Sequence, residues 1–351
     1  MVAETKKKRE RSCSVIPVTD FVALLCYTLV VASRRALSHL EQRPSPEANA
    51  PTCESKEGKM ATQSLVTEMP ASQKASKGTP QPYSNYACPT CKRPLEPGHE
   101  GLDCSICSVT YPIRDEIPDF LAEKLAESPS RDLRIIGKWD SSILFDFLAY
   151  SYEACIYPPV CSLFGGWRST SLKELARDIS GIVGSTEGAI LDVACGPATY
   201  GRRIASTAKA VYGIDICMSM LRRGARYVQR DRVPNLHFAR AKIEALPFPA
   251  GLFDAAICAG ALNHFPDTVL ALREVNRTMK AGAPLAVMCF VFGPRGLVKY
   301  RFMRDRVQKK GGHLFELSQL ERYVAEAGFE GYRSHAHGSI LVFSARKRLV
   351  S

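Results

Sequence analysis

The stretch Ile190-Leu191-Asp192-Val193-Ala194-Cys195-Gly196-Pro197-Ala198-Thr199 decides how this chain folds. An apolar run reaches an acid, passes through a turn of small residues and enters a helical pattern from Tyr200 to Ala208. This predicts a strand over Ala189–Ala194, a tight loop and a helix N-terminus, with loop N–H groups open to close approach by a ligand. A second apolar strand, Ala210-Val211-Tyr212-Gly213-Ile214, ends on Asp215. An acid about 20 residues beyond a glycine loop, at the end of strand two, is placed to accept two hydrogen bonds from the hydroxyls of a ribose. Asp is also a good helix N-cap, here before Met218–Val228, and the two roles are compatible.

The alternation continues along the chain. A strand pattern over Asp254–Ala259 leads into Gly260-Ala261-Leu262-Asn263-His264-Phe265-Pro266-Asp267. An amphipathic helix over Asp267–Met279 stops at Lys280–Ala283, and a strand follows over Pro284–Phe290. A helix over Ser318–Ala327 and two strand patterns, near Phe329–Ser334 and Ser339–Ala345, end the chain. Strands alternating with helices predict an α/β fold around a doubly wound, mostly parallel sheet. In such a sheet ligands sit at the carboxyl ends of the strands, near the switch point. Residues 259–264 therefore face the reacting centre, and His264 is the best-placed titratable side chain. A neutral imidazole there can take a proton from a hydroxyl or an acidic carbon. It can equally serve as a structural hydrogen-bonding group. His313, His335 and His337 are weaker candidates.

Five blocks occur in order: LDVACGPATYGRRIA, VYGIDICMSMLRRGARY, LHFARAKIEALPFPAGLFDAAICAG, ALNHFPD and LREVNRTMKAGAPLAVM. With them, the chain from about Ala189 to Leu285 resembles the class I S-adenosylmethionine (SAM) dependent methyltransferases, in particular the ubiquinone/menaquinone C-methyltransferase-like branch. A dinucleotide-binding dehydrogenase is disfavoured, because the third glycine of its fingerprint is missing and the later blocks do not fit. The resemblance implies a seven-stranded Rossmann-like sheet closed by a C-terminal antiparallel hairpin, with SAM as cofactor. It also implies a set of roles. Asp192 serves the methionine amino end of SAM, Ala194, Cys195 and Gly196 form the loop beneath its carboxylate, and Asp215 takes the ribose diol. Ile216 packs on the adenine, the Ile243 amide serves its ring, and Ala259 lies near the methyl group. Ala198 stands where many members have a third glycine, and its methyl is tolerable if φ is negative. The third block departs from the family. Where GDAEALPF is common, this chain has Ala241-Lys242-Ile243-Glu244-Ala245-Leu246-Pro247-Phe248. Lys242 replaces an acceptor for the adenine amine and has no acceptor capacity.

Upstream, Cys88-Pro89-Thr90-Cys91 and Cys104-Ser105-Ile106-Cys107 form two CxxC knuckles around a short loop. Thiolates at this spacing can close a tetrahedron around Zn²⁺. A ribbon this small has almost no core, so a metal would supply its folding energy. Four cysteines leave no open coordination position, which makes the expected zinc structural. His99 lies in the loop, is not needed as a ligand and is expected to face solvent. The stretch from Cys88 to Leu121 resembles zinc ribbons that precede methyltransferase domains in bacterial rRNA guanine-N1 methyltransferases and in plant plastid methyltransferase-like proteins.

The 351 residues suit one catalytic domain plus an appendage, and 46% hydrophobic content is enough for a core. The expected organisation is a basic and hydrophobic segment over 1–40, a disordered linker over 41–84, the ribbon over 85–122 and the methyltransferase domain over 130–348. Residues 15–32 admit three readings: a membrane anchor, a targeting segment or an amphipathic helix. Met60 could also be a true start. Tyr150, Tyr152 and Tyr157 fall on expected helices over the cofactor pocket, where core packing is the alternative. The 13 cysteines include several scattered through apolar strands, which suits a reducing, intracellular compartment better than a disulfide framework. The charge of +12 gathers near Lys6–Arg11 and Arg295–Lys310. It fits an anionic surface, a nucleic acid or simply a solvated basic face. A small-molecule acceptor is the leading reading, with an rRNA or tRNA base methyltransferase and a non-catalytic partner protein as alternatives.

Overall fold

The computed structural model describes residues 83–121, 171–292, 305 and 313–349. The expectations for residues 1–82, for Tyr150, Tyr152 and Tyr157, and for most of the basic insert after Phe292 lie outside the described residues.

Four short strands build the ribbon: β1 (Glu96–Pro97), β2 (Gly101–Cys104), β3 (Val109–Arg114) and β4 (Ile117–Pro118), ordered β1-β2-β3-β4 and antiparallel throughout. Helix α1 (Leu172–Val183) follows, opened by a capping box between Ser171 and Glu174. Then come β5 (Thr186–Val193), the short α2 (Gly201–Ile204), β6 (Ala208–Asp215), α3 (Met218–Asp231) and β7 (Leu236–Arg240). The chain continues through β8 (Ala255–Ala259), α4 (Thr268–Thr278), β9 (Pro284–Phe290), α5 (Leu317–Glu326), β10 (Phe329–His337) and β11 (Ile340–Lys347). Asp267 caps α4 by accepting the Leu270 N–H at 2.9 Å.

The seven strands β5–β11 form one sheet in the order β10-β11-β9-β8-β5-β6-β7. The five strands β9-β8-β5-β6-β7 pair in parallel, and β11 runs antiparallel to both neighbours. The chain reverses direction across the sheet at β5, between β6 and β8, and a doubly wound sheet opens its ligand crevice there. This is the sheet with a closing hairpin that the resemblance implied.

The ribbon does not stand apart from this sheet. Tyr86 stacks on Phe248 with ring centres 5.2 Å apart and meets Tyr212 edge-on at 6.0 Å. Phe120 packs on Tyr86 and Tyr111, and all of these side chains belong to one buried cluster with the core strands. Backbone bonds join the two sheets, from Ala87 N–H to the Pro247 carbonyl and from Phe120 N–H to the Arg240 carbonyl, both at 2.9 Å. Lys92 reaches Glu274 of α4 at 2.6 Å. Glu274 also accepts from Arg277 and from the Leu246 N–H. Among the described residues no helix is long and apolar enough to cross a membrane.

Candidate functional site

Within the central strands burial is complete, and it relaxes at their carboxyl ends. Ile190, Leu191 and Val193 are buried, and Ala194 after them is half-buried. Val211–Ile214 are buried before the half-buried Asp215 and Ile216, and Ala255–Cys258 before the half-buried Ala259 and Gly260. The proposed cofactor residues thus share one edge of the sheet.

The loop after β5 is wound tightly. Ala194, Gly196 and Ala198 all take left-handed backbone, at φ 50°, 54° and 55°. The condition under which the Ala198 methyl is tolerated without strain, a negative φ, is therefore not met. The chain must turn between β5 and α2 within a few residues, and the Ala198 N–H closes that turn on the Cys195 carbonyl at 2.9 Å. An L-residue held left-handed costs about 1–2 kcal/mol, offset in part by burial of its methyl. At Gly196 a Cβ would point into open space with nothing within 4 Å, so the loop presents bare backbone to a ligand.

Asp215 ties this loop to the next one. One carboxylate oxygen accepts the Gly196 N–H and the other the Cys217 N–H, each at 2.8 Å. The N-cap of α3 is Cys217, not Asp215, so the capping alternative is met one step removed: Asp215 orders the turn that leads into the helix. Asp192 is buried and accepts the Gly201 N–H at 3.1 Å. Burial, with added repulsion from Asp215, pushes its pKa up to about 8. A Cβ on Gly201 would lie 2.5 Å from the Asp192 carboxylate, so glycine is required there. That glycine was not singled out in the sequence, although it closes the LDVACGPATYG block. The Cys195 thiol is buried and held far above its ordinary pKa, which makes it a packing group and not a nucleophile.

Lys242 is half-buried at the start of a turn over Ile243–Ala245, and its side chain has no hydrogen bond or ion pair among the described residues. Ile243 beside it is buried. His264 ends a turn over Leu262–His264 at the carboxyl end of β8. Its ring reaches solvent, yet the surrounding protein partly desolvates it, and His313 repels its charged form. Both effects lower its pKa and favour the neutral imidazole that a base requires. The residue before it anchors the site. Buried Asn263 donates to the Phe290 carbonyl and accepts the Phe290 N–H, both at 2.7 Å, and its own carbonyl accepts the His313 N–H at 2.8 Å. Sequence reasoning passed over Asn263 because its partners lie 27 and 50 residues away.

The ribbon cysteines converge. Their four Sγ atoms lie within 4.8 Å of one another, with Cys91 to Cys104 at 3.5 Å and Cys88 to Cys107 at 3.9 Å. A tetrahedral zinc site with bonds of about 2.3 Å has sulfur–sulfur edges of about 3.8 Å, so the cluster fits that ion. Burial raises the Cys88 pKa, but hydrogen bonds from Tyr111 and from the Cys91 and Thr90 amides outweigh it and bring the thiol down to about 6. His99 is exposed and outside the cluster.

A family profile described as a methyltransferase domain matches residues 190–282, the span of the first four blocks and most of the fifth. It runs from β5 to the end of α4, across the crevice just described. Residues 190–282 thus carry a methyltransferase domain, and the chain is similar to the class I SAM-dependent methyltransferases. This methyltransferase is 25% identical over 288 residues to an uncharacterized chloroplastic methyltransferase of Arabidopsis thaliana, covering 75% of this chain and 78% of the relative. It is 29% identical over 163 residues to the ubiquinone/menaquinone biosynthesis C-methyltransferase of Pasteurella multocida, covering 44% of this chain and 60% of that one. The solved YcgJ protein of Bacillus subtilis superimposes with a TM-score of 0.44 at 17% identity, over 50% of this chain and 98% of its own.

Proposed function

We propose that this methyltransferase moves the methyl group of SAM to a small-molecule acceptor of the quinone, lipid or secondary-metabolite kind. The observation that carries the reading is the Asp215 carboxylate bridging the bare Gly196 loop to the turn before α3. In this reading Asp215 and Ile216 hold the ribose and adenine, with Lys242 and Ile243 at the ring. Asp192, Ala194, Cys195 and Gly196 hold the amino-acid end, and Ala259 lies beside the methyl. SAM supplies an activated methyl group, so the chain's residues mainly position the nucleophile in line and exclude water. His264 takes the acceptor's proton where the acceptor is weakly acidic. The name of the Pasteurella relative supports the quinone class. The chloroplast assignment of the Arabidopsis relative supports an organelle-targeting role for residues 1–40.

Cys88, Cys91, Cys104 and Cys107 hold one structural zinc in this reading, and the sulfur spacing supports it. The organisation follows: leader, linker over 41–84, ribbon over 85–122 and catalytic domain over 130–348.

Calorimetric titration of the full chain with SAM tests the cofactor site. Asp215→Ala removes hydrogen bonds to a charged acceptor, worth about 1.5–3 kcal/mol, so affinity falls roughly ten- to a hundredfold. An unchanged dissociation constant would place the pocket elsewhere. Labelled methyl transfer into separated lipid, protein and RNA fractions tests the acceptor. Label in the small-molecule fraction is expected, and label confined to RNA would overturn the small-molecule reading in favour of a base methyltransferase.

A further inference from the structure

Away from the cofactor edge, three side chains meet on the α1 face of the sheet. Asp178 projects from α1, and its Oδ2 lies 3.0 Å from His335 Nε2 and 3.1 Å from His337 Nε2 on β10. The two rings stand edge to face, 5.0 Å between centres. All three donor atoms lie within 4.8 Å of one another.

A defect in the sheet brings them together. The register of β10 on β11 shifts between Glu330 and Arg333, where Gly331 and Tyr332 of β10 stand against Ala345 alone of β11. Phe329, before the bulge, sits opposite Lys347 and packs in the core on the far side of the sheet from α1. Simple alternation would place residues 335 and 337 on that same side. The extra residue reverses the parity, so His335 and His337 stand opposite Val342 and Ile340, which pack with Leu175 and Ile179 of α1. Leu175 and Ile179 are fully buried, and Asp178 between them flanks the buried stripe on the side of β10.

We propose that Asp178, His335 and His337 bind one borderline divalent transition-metal ion of the Zn²⁺, Ni²⁺, Co²⁺ or Cu²⁺ class. With bonds of about 2.0–2.1 Å, neighbouring ligand atoms lie about 3.0 Å apart in an octahedron and about 3.3 Å in a tetrahedron. The observed separations of 3.0 and 3.1 Å fall on that scale. Two imidazoles and one carboxylate select such ions over Ca²⁺ and Mg²⁺, which prefer oxygen donors. Three ligands leave coordination positions for water or an outside group. Because the ligands come from α1 and from the edge strand, the ion pins β10 to the body of the sheet. The site is independent of the methyl-transfer reading and of the four-cysteine cluster.

The test uses tag-free full-length protein loaded with a single equivalent of zinc for the ribbon, titrated with Ni²⁺ by calorimetry. One Ni²⁺ equivalent is expected beyond the zinc, with a rise in Tm. His335→Ala, at an exposed position, and His337→Ala, at a half-buried one, should each weaken Ni²⁺ by more than the roughly ten- to hundredfold that loss of an outer-shell partner produces. The double variant should lose both the binding and the metal-dependent Tm shift, while its zinc content and metal-free Tm stay as in the parent. Replacing Ni²⁺ by Cu²⁺ should give a nitrogen-coordinated EPR signal that the double variant lacks. No Ni²⁺ uptake by the parent, or equal uptake by the double variant, would overturn the proposal.

Discussion

Arg240, at the end of β7, lies against Asp119 of the four-cysteine ribbon, with Nη1 and Oδ2 3.4 Å apart and both side chains almost wholly removed from solvent. The same guanidinium donates through Nε to the Ile216 carbonyl at 2.9 Å. Ile216 is the residue after Asp215. One buried cation therefore links the ribbon to the backbone that carries the proposed ribose acid. Asp119 is fixed in turn by the Leu121 N–H on its other oxygen.

Removing one partner of this pair should be costly, because the other charge stays buried. Asp119→Ala should destabilise the fold by about 3–5 kcal/mol. The double change Asp119→Leu with Arg240→Met should recover most of that loss, since apolar replacement of both charges is often nearly neutral. Urea denaturation of the single and double variants measures this. A single variant as stable as the parent would mean that water already reaches the pair.

The Lys242 side chain has no partner among the described residues, and in the proposed pocket it takes the place of the adenine acceptor common in the resembled family. Lys242→Asp should restore that acceptor and tighten SAM by about 0.5–1.5 kcal/mol, or roughly three- to tenfold. Titration at two salt concentrations separates a local hydrogen bond from a general charge effect, because only the latter is strongly screened. Weaker binding would show that the lysine itself donates to the ring.

Removal of the proposed zinc should disturb more than the ribbon. Tyr86, Tyr111 and Phe120 share one core with Tyr212 and Phe248, so loss of the metal exposes aromatic surface on the sheet. Metal analysis of the His335→Ala/His337→Ala variant should return one zinc, held by the ribbon, and Cys104→Ser should lower both that metal content and the Tm of the whole protein. A Cys104→Ser variant that keeps its zinc and its Tm would rule out this site.

Asp192 gives a pH dependence of definite sign. Its carboxyl is raised to about 8 in the fold, against about 4 unfolded. The unfolded chain releases this proton first. Stability from this group is therefore fully present below about pH 4 and is lost as pH rises towards 8. Asp192→Asn keeps an acceptor for the Gly201 N–H and carries no charge. Its stability curve between pH 4 and 8 should be flatter than the parent's, and the variant should be the more stable protein at pH 8. Parallel curves would show that Asp192 is ionised throughout.

The sequence alone marked six of the seven strands of the large sheet, missing only Leu236–Arg240, and most of the proposed cofactor residues. Each strand is a short apolar run closed by a local signal, and each of Asp192, Gly196, Asp215 and His264 sits a fixed number of residues from such a signal. The four cysteines were legible for the same reason, since CxxC spacing is local chemistry. What escaped was set by pairing across the chain. Asp119 and Arg240 are 121 residues apart, and neither carries a mark of the other. Asn263 looks like one more loop residue until β9 and His313 close around it. The left-handed backbone of Ala198 follows from how far the chain must turn, which an alanine does not announce. His335 and His337 read only as weaker candidates for a base, and a one-residue bulge turns both towards Asp178. Periodicity encodes which face a residue takes within its own element. Register, docking and the choice of long-range partner come from the packing of whole elements, and these the tertiary structure decided.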